Sequence, residues 1–251
     1  MAEACRVSIV ARMDTNSTEA RTIDTDTYVS VHERAESTLV ARTFFWLTVG
    51  LVLSGAVAAY VGTNDDLYQQ FVDNTVLFWV VILSPLAIIF GLGWAMERIS
   101  VATSASLFIL FSFLEGLSLS FIFQVYTTTS IVQVFFLAAG MFGVAGVVGF
   151  VTKRDLTRMG GILSIGLIGV IGGTFVNILW ASDTLYWVTT YAGIAVFLGL
   201  TVYDFNILKR QSEMPLDSEA QSKASLWLAI GLYLNFVNLM LFLLRIFGGR
   251  D

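Results

Sequence analysis

Long apolar stretches alternate with short polar segments along most of this chain. A helix needs about 20 apolar residues to cross a hydrocarbon core about 30 Å thick. Windows of that kind predict seven transmembrane helices, over residues 43–62, 76–96, 101–125, 131–151, 161–180, 185–207 and 224–247. Pro85 falls inside the second window and is expected to bend or locally open that helix. The pattern therefore predicts an all-α membrane protein with seven transmembrane helices.

The first 38 residues do not follow this pattern. They are polar, carry seven acidic residues and lack the apolar core of a signal peptide. We therefore expect two regions: an acidic, disordered, cytoplasmic tail over residues 1–38, and a seven-helix transmembrane domain over residues 39–251.

The composition points to the same class of protein. Of 251 residues, 56% are hydrophobic and 13% are charged, whereas a soluble domain has roughly 25% charged residues. So few charges cannot cover a water-soluble globule of this size, which excludes an ordinary cytosolic enzyme and a disordered protein.

The single cysteine, Cys5, excludes an internal disulfide. No basic patch outside the short loops supports nucleic-acid binding.

Basic residues predict the orientation of the bundle. Lysines and arginines lie before the first span and in every second loop, as Arg34, Arg42, Arg98, Lys153, Arg154, Arg158, Lys209, Arg210 and Lys223. The other loops contain none and carry aspartates instead. The positive-inside rule then predicts a cytoplasmic N-terminus and an external C-terminus, with Arg245 and Arg250 as the exceptions.

Glu115 is one of two acidic residues inside the predicted spans. A carboxylate at the bilayer centre costs roughly 2.5–3.5 kcal/mol unless it is paired, protonated or in contact with water. Ser112 and Ser118 lie three residues before and after Glu115, on the same helical face. Two interpretations stay open: a protonated acid hydrogen-bonded to these hydroxyls, or a carboxylate that lines a cation path.

Asp204 is the second acidic residue, near the end of the sixth span. It could extend to the membrane interface, but the seventh span offers polar partners inside the bundle. Asn235, Asn238 and Arg245 form a polar stripe on an otherwise apolar helix. Because such a stripe is costly when it faces lipid, we expect it to face the bundle interior and to meet Asp204.

Several motifs resemble those of the Bax inhibitor-1 (transmembrane BAX inhibitor motif) family, in its bacterial branch. They are Glu115-Gly-Leu-Ser-Leu-Ser120, Thr152-Lys-Arg-Asp-Leu-Thr157, Leu200-Thr-Val-Tyr-Asp204, Leu232-Tyr-Leu-Asn-Phe-Val-Asn-Leu239 and Leu244-Arg-Ile-Phe-Gly-Gly-Arg250. They occur in the family's order, and the resemblance covers nearly all of the chain from about Arg42 onward.

The resemblance implies a fold, a function and a location. The fold is a bundle in which the other six helices surround the last one. The function is that of a pH-modulated calcium leak channel, with the calcium ion as permeant species and no cofactor. A bacterial relative modulates a membrane-bound protease, and the implied location is the prokaryotic plasma (inner) membrane.

The resemblance also assigns roles to individual residues. In the family, aspartates on helices six and seven share a proton and sense acid, and an arginine near the end of helix two is their counter-ion. By motif position, Asp204 is the first aspartate, Arg98 is the arginine, and Arg245 matches an arginine near the outer end of helix seven.

Position 235 departs from this pattern. The second aspartate of the family is replaced by Asn235, which removes the repulsion between two carboxylates but keeps a hydrogen-bonding amide. We therefore expect the architecture to be retained and the acid response near neutral pH to be weakened or shifted. Glu115 could act as a substitute titrating group.

Two functional hypotheses follow. In the first, cations pass beside the last helix, with Asp204, Asn235 and Arg98 as gate and pH sensor. Asp204 and Glu115 are then transient calcium ligands. Further pore or polar-stripe residues would be Ser112, Ser118, Asn238 and Arg245.

In the second hypothesis, the chain is a non-conducting regulator in the lipid bilayer that binds a membrane protein such as a quality-control protease. An enzyme is not expected, because the spans contain no histidine and no HExxH motif.

Overall fold

The computed structural model describes residues 25–96, 98–215 and 217–250, with side chains from Thr38 onward. Eight α-helices and one short 3₁₀-helix form this part of the chain. They are α1 (Thr25–Gly62), α2 (Asp65–Asp73), α3 (Thr75–Ala95), α4 (Val101–Leu119), the 3₁₀-helix Ser120–Gln124, α5 (Thr128–Val151), α6 (Thr157–Trp180), α7 (Asp183–Ser212) and α8 (Ser218–Phe247).

Seven of these helices are long and apolar enough to cross a bilayer. Their spans are Thr38–Gly62, Thr75–Ala95, Val101–Gln124, Thr128–Val151, Thr157–Trp180, Asp183–Ser212 and Ser218–Phe247. Each predicted segment coincides with one of them to within a residue or lies inside it. The prediction of an all-α protein with seven membrane spans is confirmed.

Helix α1 begins before its membrane span. Its backbone is helical from Thr25, inside the segment that the sequence assigns to a disordered tail. Extending a helix from an existing span requires no new nucleus, so polar residues can continue it. The rest of the predicted tail, residues 1–24, lies outside the described residues.

Helix α2 was not predicted, because its nine residues are too few and too polar to give a membrane signal. Asn64 caps its start by accepting a hydrogen bond from the Leu67 amide. Leu67 and Phe71 lie one turn apart and pack against a small buried cluster formed by α1, α3 and α4. The connection between the first two spans is therefore an amphipathic helix.

Helix α8 is the most buried of the spans. In its most apolar window 72% of the residues are buried, against 6% for α6. Helices α1, α4, α5 and α7 pack along α8, whereas α3 packs mainly on α4, and α6 on α7. The prediction that all six other spans surround the last helix is not confirmed.

Candidate functional site

Asp204 and Asn235 meet where α7 packs on α8. Nδ2 of Asn235 donates a hydrogen bond of 2.7 Å to Oδ2 of Asp204. Asn235 is buried and Asp204 is half-buried. The carboxylate thus has a neutral amide as its hydrogen-bond partner, and the structure brings together two of the residues singled out from the sequence.

Gly231 makes room for the Asp204 carboxylate. It lies one turn before Asn235 on α8, and a Cβ atom at this position would be 3.1 Å from Oδ2 of Asp204. The Asp204 carboxylate therefore packs against the backbone of α8 at Gly231, and a larger side chain at position 231 would displace it.

A cleft between α3, α7 and α8 reaches Asp204. Its volume is about 340 Å³, and its walls include Ile89, Gln211 and Trp227. Gln211 is seven residues after Asp204, or about 10 Å along α7 at 1.5 Å per residue. We call this space the Asp204 cleft. It extends toward the end of the bundle that carries Lys209 and Arg210, which we call the basic end.

Arg98 does not pair with Asp204. Its side chain is exposed, and its guanidinium lies 4.8 Å from the centroid of the Trp94 ring. Among the described residues no ion pair joins Arg98 to a carboxylate. In this structure the hydrogen-bond partner of Asp204 is Asn235, at the position of the family's second aspartate, and not the expected counter-ion Arg98.

Glu115 lies on a different side of α8. Phe111, one turn before Glu115 on α4, packs edge-on against Tyr233 with ring centroids 5.3 Å apart, so the Glu115 face of α4 lies on the Tyr233 side of α8. Tyr233 and Asn235 are two residues apart on α8, so their side chains point about 200° apart. Glu115 and Asp204 therefore do not form one ligand set. No cluster of three potential metal-binding side chains occurs among the described residues.

The serines beside Glu115 bond elsewhere. Ser112 donates to the carbonyl of Phe108 in its own helix, at 2.9 Å. Ser118 donates at 2.9 Å to the carbonyl of Val81 on α3, which Pro85 cannot bond because proline has no N–H. Helix α3 continues through Pro85. Ser118 thus donates to a carbonyl that lacks its helical amide donor, and the Ser84 hydroxyl donates to the same carbonyl at 3.2 Å. Of the two interpretations of Glu115, the one with hydrogen bonds to Ser112 and Ser118 finds no such bond among the described residues.

The other residues of the polar stripe on α8, Asn238 and Arg245, have partners other than Asp204. Nδ2 of Asn238 donates to the carbonyl of Leu234, so its amide is used within α8. The Arg245 guanidinium lies 4.6 Å from the Phe242 ring centroid and 5.6 Å from that of Tyr186, at the start of α7. The contact with Tyr186 links the start of α7 to the last turns of α8.

Sequence reasoning missed two buried polar side chains. Asn206, two residues after Asp204, donates to the carbonyls of Gly149 and Thr152 at 3.3 Å each. Tyr233 is fully buried against Phe111. In both cases the available signal was a polar group on an otherwise apolar helix.

Comparisons with known proteins cover this whole site. The family described as "Inhibitor of apoptosis-promoting Bax1" matches residues 36–251. The inner membrane protein YbhL of Escherichia coli strain K12 is 40% identical over 215 residues, which cover 85% of this chain and 92% of that protein. An uncharacterized protein of Borreliella burgdorferi is 35% identical over 212 residues, covering 84% and 91%. An uncharacterized membrane protein of Streptococcus pyogenes is 28% identical over 188 residues, covering 75% and 81%.

Proposed function

Because the chain belongs to the Bax inhibitor-1 family, we propose that it is a pH-modulated leak channel for calcium and similar cations. The proposal includes a prokaryotic plasma membrane, with the N-terminus and the basic end of the bundle in the cytoplasm. The channel uses no cofactor and catalyses no covalent reaction, and the calcium ion is its permeant species.

The observation that carries this proposal is the Asp204 carboxylate at the wall of a cleft inside the membrane domain. Its hydrogen-bond partner is a neutral amide, so a negative charge on Asp204 remains available to a cation. Carboxylate and amide oxygens are suitable ligands for a hard cation such as calcium. One carboxylate is too few for a tight calcium site, and this favours passage over storage.

The described conformation represents the closed channel in this proposal. Phe197 and Phe242 lie seven residues from Asp204 and Asn235, respectively, toward the outer end of the bundle. Their rings pack together with centroids 5.9 Å apart. Apolar constrictions of this kind block ions by excluding water. Cations from the Asp204 cleft would pass when α8 moves relative to α7 and separates these rings.

The same arrangement gives a reason for pH modulation. Protonation of Asp204 removes the charge that attracts cations to the cleft. Asn235 cannot share a proton with it, so the strong coupling of two adjacent carboxylates is absent. We therefore expect an acid response that is weaker or shifted compared with relatives that have aspartate at this position.

The test is calcium entry into liposomes that contain purified protein and an enclosed calcium dye, with Asp204→Asn for comparison. The proposal requires flux above that of protein-free liposomes and a clear loss in Asp204→Asn. Absence of flux in the unmodified protein would refute it. Asp155→Asn removes an exposed carboxylate outside the cleft and serves as the matched control.

A second candidate is a non-conducting regulator that binds another membrane protein, such as a quality-control protease. Helix α6 favours it, because only 6% of its apolar window is buried. Gly161, Gly169 and Gly172 on α6 have open space at their Cα atoms, which allows close helix approach. Partner binding at α6 would be lost in Gly169→Leu, and partner binding by the N-terminal tail would be lost on deletion of residues 1–38. Channel activity would survive both changes.

A further inference from the structure

A second polar cavity lies at the basic end of the bundle, outside the Asp204 cleft. It has a volume of about 560 Å³ and lies between the last residues of α5 and the last turns of α7. Its walls include Lys153, Asn206, Lys209, Arg210 and Glu213. We call it the α5–α7 cavity. None of the residues proposed for calcium passage contributes to it.

Asn206 connects this cavity to the end of α5. Its Nδ2 donates to the carbonyls of Gly149 and Thr152, which are among the carbonyls that the last turn of a helix leaves unbonded. Its Oδ1 is buried and has no hydrogen-bond donor among the described residues. A buried acceptor without a donor is costly. A ligand that carries a hydroxyl group can supply the missing donor.

The charges around the cavity have a small positive excess. Lys153, Lys209 and Arg210 are opposed by Glu213 in the cavity wall, and Nη1 of Arg210 lies 3.1 Å from Oδ2 of Asp155. Three positive and two negative side chains leave one positive charge. One phosphodiester group would neutralise it.

We propose that the α5–α7 cavity binds the headgroup of an anionic, hydroxyl-bearing phospholipid such as phosphatidylglycerol. Basic pockets between membrane helices are suited to anionic headgroups. The phosphodiester lies among Lys153, Lys209 and Arg210, and the glycerol hydroxyls donate to Asn206 and Glu213. Val148 and Val151 expose apolar surface at the same end of α5, where the acyl chains can run.

The choice of lipid follows from charge and donors together. Phosphatidylcholine has no net charge and no hydroxyl donor in its headgroup, so it satisfies neither the basic side chains nor Asn206. Inorganic phosphate has the charge but cannot use the apolar surface of α5. Phosphatidylglycerol is the one of these three that satisfies all the features of the cavity.

Native mass spectrometry of the detergent-solubilised full chain tests this proposal. The protein is titrated with dioctanoyl phosphatidylglycerol and, separately, with dioctanoyl phosphatidylcholine. We expect the glycerol lipid to bind about tenfold more tightly. Each lysine near a headgroup contributes about fivefold, so Lys153→Gln should lose about fivefold and the Lys153→Gln/Lys209→Gln pair about 25-fold. Lys153→Gln changes only an exposed residue in the loop after α5. It therefore still tests the proposal if the Lys153→Gln/Lys209→Gln protein folds poorly.

Lys223→Gln is the matched control. Lys223 lies at the same end of the bundle but outside the cavity, and its Nζ pairs with Glu219 at 2.9 Å. This variant should bind phosphatidylglycerol within about twofold of the unmodified chain, since it keeps all the cavity charges. Equal binding of the two lipids, or an equal loss in Lys223→Gln, would overturn the proposal. Full displacement of the lipid by equimolar inorganic phosphate would also overturn it, because the cavity would then be a free-phosphate site.

Discussion

Asn235 donates its amide hydrogen to Oδ2 of Asp204 across the α7–α8 interface. The resemblance places a second carboxylate at this position, and two carboxylates in contact would have to share a proton. An amide keeps the hydrogen bond and removes that requirement. The contact between the two helices is therefore retained, and in the proposed channel we expect its response to pH to differ from that of an aspartate pair.

The first prediction concerns Asn235→Asp. This change places a second carboxylate beside Asp204, so the two groups become strongly coupled and titrate as a pair. We expect the pH profile of calcium flux into liposomes to shift toward neutral pH. Gln70→Glu, which adds an exposed carboxylate on α2 outside the membrane spans, is the control. If the profiles of Asn235→Asp and the unmodified chain coincide, the inference about the missing aspartate is wrong.

The second prediction concerns Phe242→Ala, which removes one ring of the apolar contact with Phe197. If this contact closes the channel, its loss admits water and raises calcium flux by about threefold or more. Phe247→Ala removes an exposed ring on the same helix and should leave the flux unchanged. A flux that stays level or falls in Phe242→Ala would place the constriction elsewhere.

The third prediction concerns the contact between Ser118 and α3. Ser118→Ala removes a hydrogen bond to the Val81 carbonyl and should lower the free energy of unfolding by about 0.6 kcal/mol, the average for such bonds in membranes. In a Pro85→Ala background the restored amide of residue 85 can bond that carbonyl, so the cost should be smaller. The Ser84 hydroxyl donates to the same carbonyl at 3.2 Å, so both backgrounds carry Ser84→Ala. Unfolding in mixed micelles measures this double-mutant cycle. Equal costs in both backgrounds would show that Ser118 does not compensate for the proline.

The fourth prediction concerns the loop between α5 and α6. Asp155 accepts hydrogen bonds from the Thr157 hydroxyl and amide and pairs with Arg210. These contacts hold the pKa of the Asp155 carboxyl below its usual value. Because the folded-state pKa is lowered, the stabilisation is present above the unfolded pKa and is lost as the pH falls through the folded pKa.

Asp155→Asn should therefore flatten the fall in melting temperature at acidic pH, below about pH 4. The comparison is Asp66→Asn, at the opposite end of the bundle. The same acid-induced fall in the unmodified chain and in Asp155→Asn would show that this carboxylate does not contribute to stability.

The membrane spans could be predicted because a run of about 20 apolar residues is typical of a helix that crosses a bilayer. Helix α2 could not, since its signal is two apolar residues one turn apart, Leu67 and Phe71. The meeting of Asp204 with α8 follows from the cost of a carboxylate facing lipid. The separation of Glu115 from Asp204 depends on the rotation of α4 and α8 about their axes, which the sequence alone does not specify.

Arg98 and Ser118 show a second limit of sequence reasoning. The exposed position of Arg98 over Trp94 depends on the turn between α3 and α4. Ser118 donates to the Val81 carbonyl, which lacks its helical amide donor because of Pro85, 33 residues away in sequence. The first contact depends on the path of a turn and the second joins two helices, so spacing within one helix predicts neither.

The most direct test of the central claim compares calcium flux through Asp204→Asn and Asp204→Glu in liposomes at neutral pH. If the charge of Asp204 attracts the cation, Asp204→Asn should reduce flux by about tenfold, equivalent to about 1.4 kcal/mol. Asp204→Glu should retain most of the flux. Equal flux through the unmodified protein and Asp204→Asn would contradict the claim that this carboxylate controls cation passage.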